Sequence, residues 1–242
     1  MTTREIAPIV GKSKSTVALV VKNLGIGRKK QPRLGHAHPG NSCPELGGFG
    51  AYFDGLVISD GHLGSKGHSR YAFYSQSSVT HEWLCEIMRR FSAIGIESKI
   101  MEENRNPPRK NRCWHLRTLT YDAIFDFKKR WYVGDKKVVP KDLDLTNPCF
   151  LRNWIYGDGT LVGNTVLRLC TDSFEETDVD WLIDEMNDRL KVRFRKLFMG
   201  FSKTGKLKFR PALCIRDGLD KFYHHVGDPD ITSFKYKWRI VR

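Results

Sequence analysis

Two aspartates, each followed by glycine, are the residues best placed to do chemistry in this chain. Asp60 ends the run GAYFDGLVISDGHL (residues 50–63), and Asp158 ends FLRNWIYGDGTL (residues 150–161), 98 positions further on. Each run has the apolar pattern of a helix and places a carboxylate at its last turn, where the backbone dipole is already negative. One Asp-Gly pair is an ordinary turn signal, present also at Asp54-Gly55 and Asp217-Gly218, and carries almost no information. Two that each end a small-faced apolar helix carry much more. Counting back in fours from the residue before each aspartate gives Ser59, Gly55, Ala51 and Gly47 in one run and Gly157, Asn153 and Cys149 in the other. Residues four apart share a helix face, so each helix has a stripe along which another backbone can approach closely. If the stripes face each other, the aspartates converge at one end of the helix pair. Two carboxylates meeting at two helix C-termini, without cations, repel each other and oppose the dipoles. A divalent metal with oxygen ligands removes the conflict, and aspartate suits Mg²⁺ or Mn²⁺. Gly61 and Gly159 supply the turns that keep the approach open.

The elements around these runs repeat one plan twice. In the first pass, strands are expected near 62–64 and 70–77, a helix over 80–93, a hairpin over 97–117 and a helix over 121–132. In the second, strands near 160–162 and 165–171 lead to a helix over 175–190, whose Val179, Leu182, Met186 and Leu190 share a face. Strands at 192–201 and 206–215 and a short helix near 219–226 follow. The expected halves are residues 46–145 and 146–242. Ahead of them, residues 1–26 read as two short helices about Gly11, the second capped by Ser13 and carrying Val17, Val20, Val21 and Leu24 as a stripe. This segment resembles a helix-turn-helix, with Lys14 on its outer face, although Pro8 interrupts the first helix. A helical hairpin that caps the main domain is the alternative. Residues 27–45, rich in Gly, Pro and basic side chains, form a linker whose Arg28, Lys29 and Lys30 can lie along phosphates.

Composition narrows the class. The 242 residues are 40% hydrophobic, enough for a sizeable core. Forty-one Lys and Arg against 27 Asp and Glu give +14 and a pI near 9.6, a field that favours polyanions. No apolar run approaches the roughly 18 residues that span a bilayer, and no secretory leader is evident, so a soluble intracellular protein without membrane contact is expected. The six cysteines form no CxxC pair, and His36, His38 and Cys43 lack metal-ligand spacing. From Val192 to Arg210 there is no acid, and Lys206, Lys208 and Arg210 alternate with Leu207 and Phe209. Period two puts the basic residues on one sheet face, as a surface lying in a DNA groove requires. The expected contacts are Arg70, Arg105, Arg109, Lys110, Arg112 and Arg117 in the first half. In the second they are Arg168, Arg193, Arg195, Lys203, Lys206, Lys208 and Arg210.

FDGLVISDG and LRNWIYGDG resemble the paired signature motifs of the LAGLIDADG homing endonucleases. KVVPKDLDLTNPCFLRNWIYGDGTL is similar to the family's approach to its second motif, and FKYKWR to its closing stretch. The resemblance covers residues 46 to about 240 and implies an α+β fold: a monomer of two pseudo-twofold αββαββα halves that present a saddle of antiparallel strands to double-stranded DNA. It implies that the motif's eighth residue, here Asp60 and Asp158, binds Mg²⁺, with Mn²⁺ or Ca²⁺ able to substitute for binding. It also implies one cut per strand across the minor groove, leaving short 3′ overhangs. Phosphodiester hydrolysis needs an activated water and a stabilised leaving oxygen. Lys136 or Lys137, and Lys235 or Lys237, are the candidates for polarising water and neutralising charge. Gln76 is a candidate for positioning water or reading a base. Three residues depart from the motif: Asn153 stands at its small third position, and Ile58 and Tyr156 at its acidic sixth.

Two other functions fit the same surface: a DNA-binding regulator that does not cut, and a maturase that binds intron RNA. Both aspartates are present, which speaks against the regulator. The termini lack the nucleophile and His-Asn that an intein requires.

Overall fold

The computed structural model describes residues 49–65, 70–102, 112–202 and 204–239, together with Ile9, Gly11, Ser13 and Thr16. The chain divides into two compact units, Met1–His36 and Ala37–Arg242. In the first, Thr16 is helical and its amide donates to Ser13 Oγ at 3.2 Å, the cap expected from the sequence. Val17, Val20, Val21 and Leu24 of the expected stripe, and the linker basic residues, lie outside the described residues.

The second unit opens with α1 (Gly50–Ile58), then β1 (His62–Ser65), β2 (Ala72–Ser78), α2 (His81–Ala93), β3 (Ser98–Glu102), β4 (Trp114–Thr118) and α3 (Asp122–Trp131). A small hairpin of β5 (Tyr132–Val133) and β6 (Lys136–Lys137) follows. The order then repeats as α4 (Pro148–Asp158), β7 (Gly159–Val162), β8 (Val166–Leu169), α5 (Glu176–Leu190), β9 (Arg195–Phe201), β10 (Leu207–Cys214) and α6 (Leu219–Val226). A 3-10 helix, Thr232–Trp238, closes the described chain. The two four-stranded sheets share one antiparallel topology, β1-β2-β4-β3 and β7-β8-β10-β9. The duplication expected from the sequence is therefore present. The β5–β6 hairpin and the closing 3-10 helix are additions to it. No described helix is long and apolar enough to cross a membrane.

Strand alternation separates the faces of each sheet. Inward lie Leu63, Tyr74, Ile100 and Leu116 in one sheet and Leu167, Leu169 and Leu213 in the other, packed with the helices in one core. Outward lie Phe73, Ser75, Ser77, Lys99, His115 and Arg117 in the first, and Thr160, Arg168, Arg195, Lys208, Arg210 and Ala212 in the second. A register shift between Lys208 and Phe209 bends the second hairpin.

α1 and α4 form the most extensive helix pair, and the small-residue stripes are what they present to each other. A Cβ on Gly55 would fall 2.4 Å from the Phe150 carbonyl and 3.0 Å from Asn153 Cβ. One on Gly157 would fall 2.5 Å from Ser59 Cβ. Pairs 55/153 and 59/157 match position for position, as a twofold axis between the helices requires. Asn153 fits because Gly55 leaves it room, and its Nδ2 donates to Tyr52 O at 2.9 Å. α1 is tied to α3 by Asp54, a buried carboxylate that accepts from Arg130 Nη1 at 2.6 Å and Trp131 Nε1 at 2.7 Å. Burial nevertheless raises its carboxyl above the ordinary range, against the pull of Arg130. Arg130 also holds Asp142, on the segment leading to α4, at 2.9 Å. Gly55→Ala should therefore force the helices apart and cost about 1–3 kcal/mol. In a thermal melt that is a fall in Tm of roughly 2–12 °C; an unchanged Tm would contradict the close approach.

Candidate functional site

The helix pair delivers Asp60 and Asp158 to one end of its interface. Asp60 follows the last turn of α1, and its side chain is accessible from a concave surface; Asp158 ends α4 and is half-buried. The carboxylates sense each other. Burial first, and then the charge of Asp60, push the Asp158 carboxyl up to about 7, while Lys137, Lys237 and Arg210 pull it down. Burial also raises Asp60, again opposed by Lys137 and Lys237.

The two lysines occupy matched places. Lys137, at the end of the β5–β6 hairpin, donates from Nζ to Ser59 O, at the C-cap of α1, at 3.0 Å and to Gly61 O, in the turn that follows, at 3.4 Å. Lys237, on the 3-10 helix, donates to Ile155 O at 2.9 Å and Tyr156 O at 2.7 Å near the end of α4. Each is the cation that a helix C-terminus favours. Burial pushes both ammonium groups down to about 8, with Asp158 and Asp60 pulling the other way. Two carboxylates and two ammonium groups thus share the site.

Lys237 is held by a lattice of contacts across the halves. Glu82, in the first turn of α2, accepts from the amides of Thr232 and Ser233, both at 3.0 Å, and so caps the 3-10 helix. Tyr156 donates to Asp230 at 2.5 Å and stacks on Phe234 at 4.8 Å. The residue that departs from the motif's acidic sixth position therefore fixes the segment carrying the lysine. Beside Asp60 and Lys237 opens a cavity of about 340 Å³, walled by Trp83, Tyr156 and Tyr236.

The other candidates separate. Lys136 pairs with Glu175, and Lys235 is exposed and acts electrostatically on Glu82. Gln76 is buried on the inner sheet face, where its Oε1 accepts from Tyr74 OH and its Nε2 has no partner among the described residues. That inward orientation removes it from base reading. The stretch without acids is also not free of acids in space. Asp172 holds Arg210 at 2.7 Å and Lys208 at 3.3 Å; Asp217 holds Arg195 at 2.8 Å; Glu175 stands 3.3 Å from Lys206. Arg112 is 3.7 Å from Glu102, and Arg70 and Arg193 are exposed. Lys14, Arg28, Lys29, Lys30, Arg105, Arg109, Lys110 and Lys203 lie outside the described residues.

Among the described residues no group of three or more His, Cys, Asp or Glu stands together. Two carboxylates nonetheless fit Mg²⁺, which keeps several waters and takes one or two carboxylates plus phosphate oxygens. Burial is the main cause of their raised proton affinity, with the charge of Asp60 adding to it at Asp158. Sequence periodicity located the aspartates. It could not choose between adjacent lysines, because a two-residue strand has too short a pattern to fix a face. Lys237→Met should cost about 1–3 kcal/mol in urea unfolding by leaving buried carbonyls without their donor. Lys136→Met, at an exposed ion pair, should stay within about 1 kcal/mol of the parent. Equal losses would contradict the distinction.

Residues 52–201 match the sequence pattern of the LAGLIDADG DNA endonuclease family. The cytochrome b mRNA maturase bI2 of Debaryomyces hansenii is 26% identical over 188 residues, covering 76% of this chain and 69% of its own length. Among solved structures, the homing endonuclease I-WcaI bound to its DNA recognition sequence aligns with a TM-score of 0.65 at 18% identity, over 79% of this chain and 86% of its own. I-DmoI in complex with DNA and Mn aligns at 0.47 and 15%, over 75% and 97%.

Proposed function

The chain belongs to the LAGLIDADG DNA endonuclease family, and from that premise we propose that it is a metal-dependent, site-specific endonuclease making a double-strand break in a long DNA target. The observation that carries this reading is the close contact of Ser59 with Gly157, where an added Cβ would fall 2.5 Å from Ser59 Cβ, so that the adjoining Asp60 and Asp158 come to one end of the α1–α4 pair. In this reading the halves 46–145 and 146–242 form a monomer over the duplex, each sheet along one half of the target.

Asp60 and Asp158 would hold Mg²⁺, which when bound supplies Lewis-acid polarisation of water and phosphate oxygens. Lys137 and Lys237 keep the helix ends charge-balanced and face the approaching phosphates. Lys136, Lys235 and the paired basic residues of the second sheet contact phosphate more peripherally. Asp172, Glu175 and Asp217 hold those cations in place until the nucleic acid displaces them.

A second reading, RNA maturation, is favoured by one specific finding, the maturase relative that matches three quarters of the chain. Intron RNA binding through a basic surface is compatible with cleavage and does not replace it.

Long duplex libraries incubated with Mg²⁺ provide the test. Wild type is expected to cut both strands at one site, whereas Asp60→Asn and Asp158→Asn should bind within a few-fold of wild type and cut more than about 100-fold more slowly, having lost a metal-holding charge. Tight binding without cutting under any divalent ion would favour the regulator. pH gives an independent check. Asp158 takes up a proton as pH falls through about 7, and a protonated carboxyl does not ligate. The Mg²⁺ concentration for half-maximal cutting should therefore rise by up to about tenfold per pH unit below that point, because metal binding must release the proton. A requirement that is flat from pH 8 to 6 would contradict the assignment.

A further inference from the structure

We propose that Arg117 and Arg168 are the guanine-reading residues of the two halves, an assignment that rests on the sheets being the DNA surface. The registers allow the halves to be compared position by position. Two residues after Asp60, His62 pairs with Ser75, which pairs onward with Arg117. Two residues after Asp158, Thr160 pairs with Arg168, which pairs onward with Ala212. The same cross-strand pair thus holds one arginine and one small residue in each half, with the strands exchanged.

Among the outward-facing arginines, the absence of a carboxylate partner sets these two apart from Arg195 and Arg210. Arg210, Lys208, Arg195 and Lys206 are each paired with an acid. To bind DNA they must exchange one anion for another, which suits a phosphate contact that is insensitive to sequence. Arg117 has no acid partner among the described residues; its guanidinium lies 3.8 Å above the centre of the Phe73 ring. Phe73 is an aromatic side chain on the outer face, where no core covers it. Its cross-strand partner is Gly64, and a Cβ there would fall 2.3 Å from the ring, so the ring lies across the space that a side chain would fill. Gly64, Phe73 and Arg117 form a stack on the sheet, topped by a cation. Stacking fixes the plane of a guanidinium and leaves its forked edge free, the arrangement that donates two bonds to guanine O6 and N7.

Arg168 sits at the centre of the second outer face. It too has no acid partner among the described residues, and its Nε is buried without an acceptor. Neighbouring strands lie about 4.8 Å apart, more than the roughly 3.4 Å rise of one base pair. With the arginines on non-equivalent strands, the two guanines should not be related by an exact inverted repeat.

Binding of the full chain to random-sequence duplexes in Ca²⁺, with sequencing of the bound fraction, gives base preference at every position without requiring cleavage. Wild type should show a strong guanine preference at one position in each half of its site. Arg117→Ala should reduce discrimination by roughly 5- to 150-fold at one of them only, and Arg168→Ala likewise at the other. Phe73→Leu, which removes the platform and keeps the arginine, should weaken the position that Arg117→Ala loses and no other. Arg210→Ala should lower affinity for all sequences alike. A uniform loss in Arg117→Ala or Arg168→Ala, or an unchanged preference, overturns the assignment while the endonuclease reading stands. A wild-type chain that enriches no sequence overturns both.

Discussion

The close approach of α1 and α4 is the constraint on which the rest of the molecule depends. Gly55 and Gly157 let two backbones meet where any larger side chain would strike a neighbour, and the matched pairs 55/153 and 59/157 make the contact twofold. Since each helix leads directly into the first strand of its own sheet, the helix pair fixes the relation of the two sheets as well as that of the two aspartates. A change of a few tenths of an ångström at this seam would be felt in both places, because packed cores do not deform continuously.

Electrostatically, the seam gathers groups that oppose one another. Two helix C-termini and two carboxylates concentrate negative charge, and Lys137 and Lys237 offset it by binding the terminal carbonyls. The offset is incomplete. Asp158 remains raised to about 7 and the lysines lowered to about 8, because burial penalises every charge in the cluster. A site with carboxyls this ready to take up a proton is one that a divalent cation would stabilise. Local stability alone would not retain such an arrangement, and this points to use.

Much of this was legible in the sequence, for identifiable reasons. Helical periodicity and the Asp-Gly stops placed α1 and α4, and period-two alternation put Lys208 and Arg210 on an outer face. The same alternation, followed from Tyr74 through Gln76, turns Gln76 inward, although its polarity is that of a site residue. Other features depend on distance in space. Asp172, Glu175 and Asp217 neutralise a basic stretch from which they are remote in the chain. Glu82 caps a helix 150 residues away, and Asp54, dismissed in sequence as part of an ordinary turn pair, is a buried anchor for α3. Tyr156 looked like erosion of a motif and is a support for Lys237.

The convergence of the two acids can be measured without DNA or metal. In a carboxyl-resolved NMR titration of the metal-free protein, Asp158 should titrate near pH 7, and Asp60→Asn should move its midpoint downward, because a nearby negative charge has been removed. A midpoint in the ordinary carboxylate range, or one that ignores Asp60, would mean that the two residues are not neighbours, and the shared site would not exist.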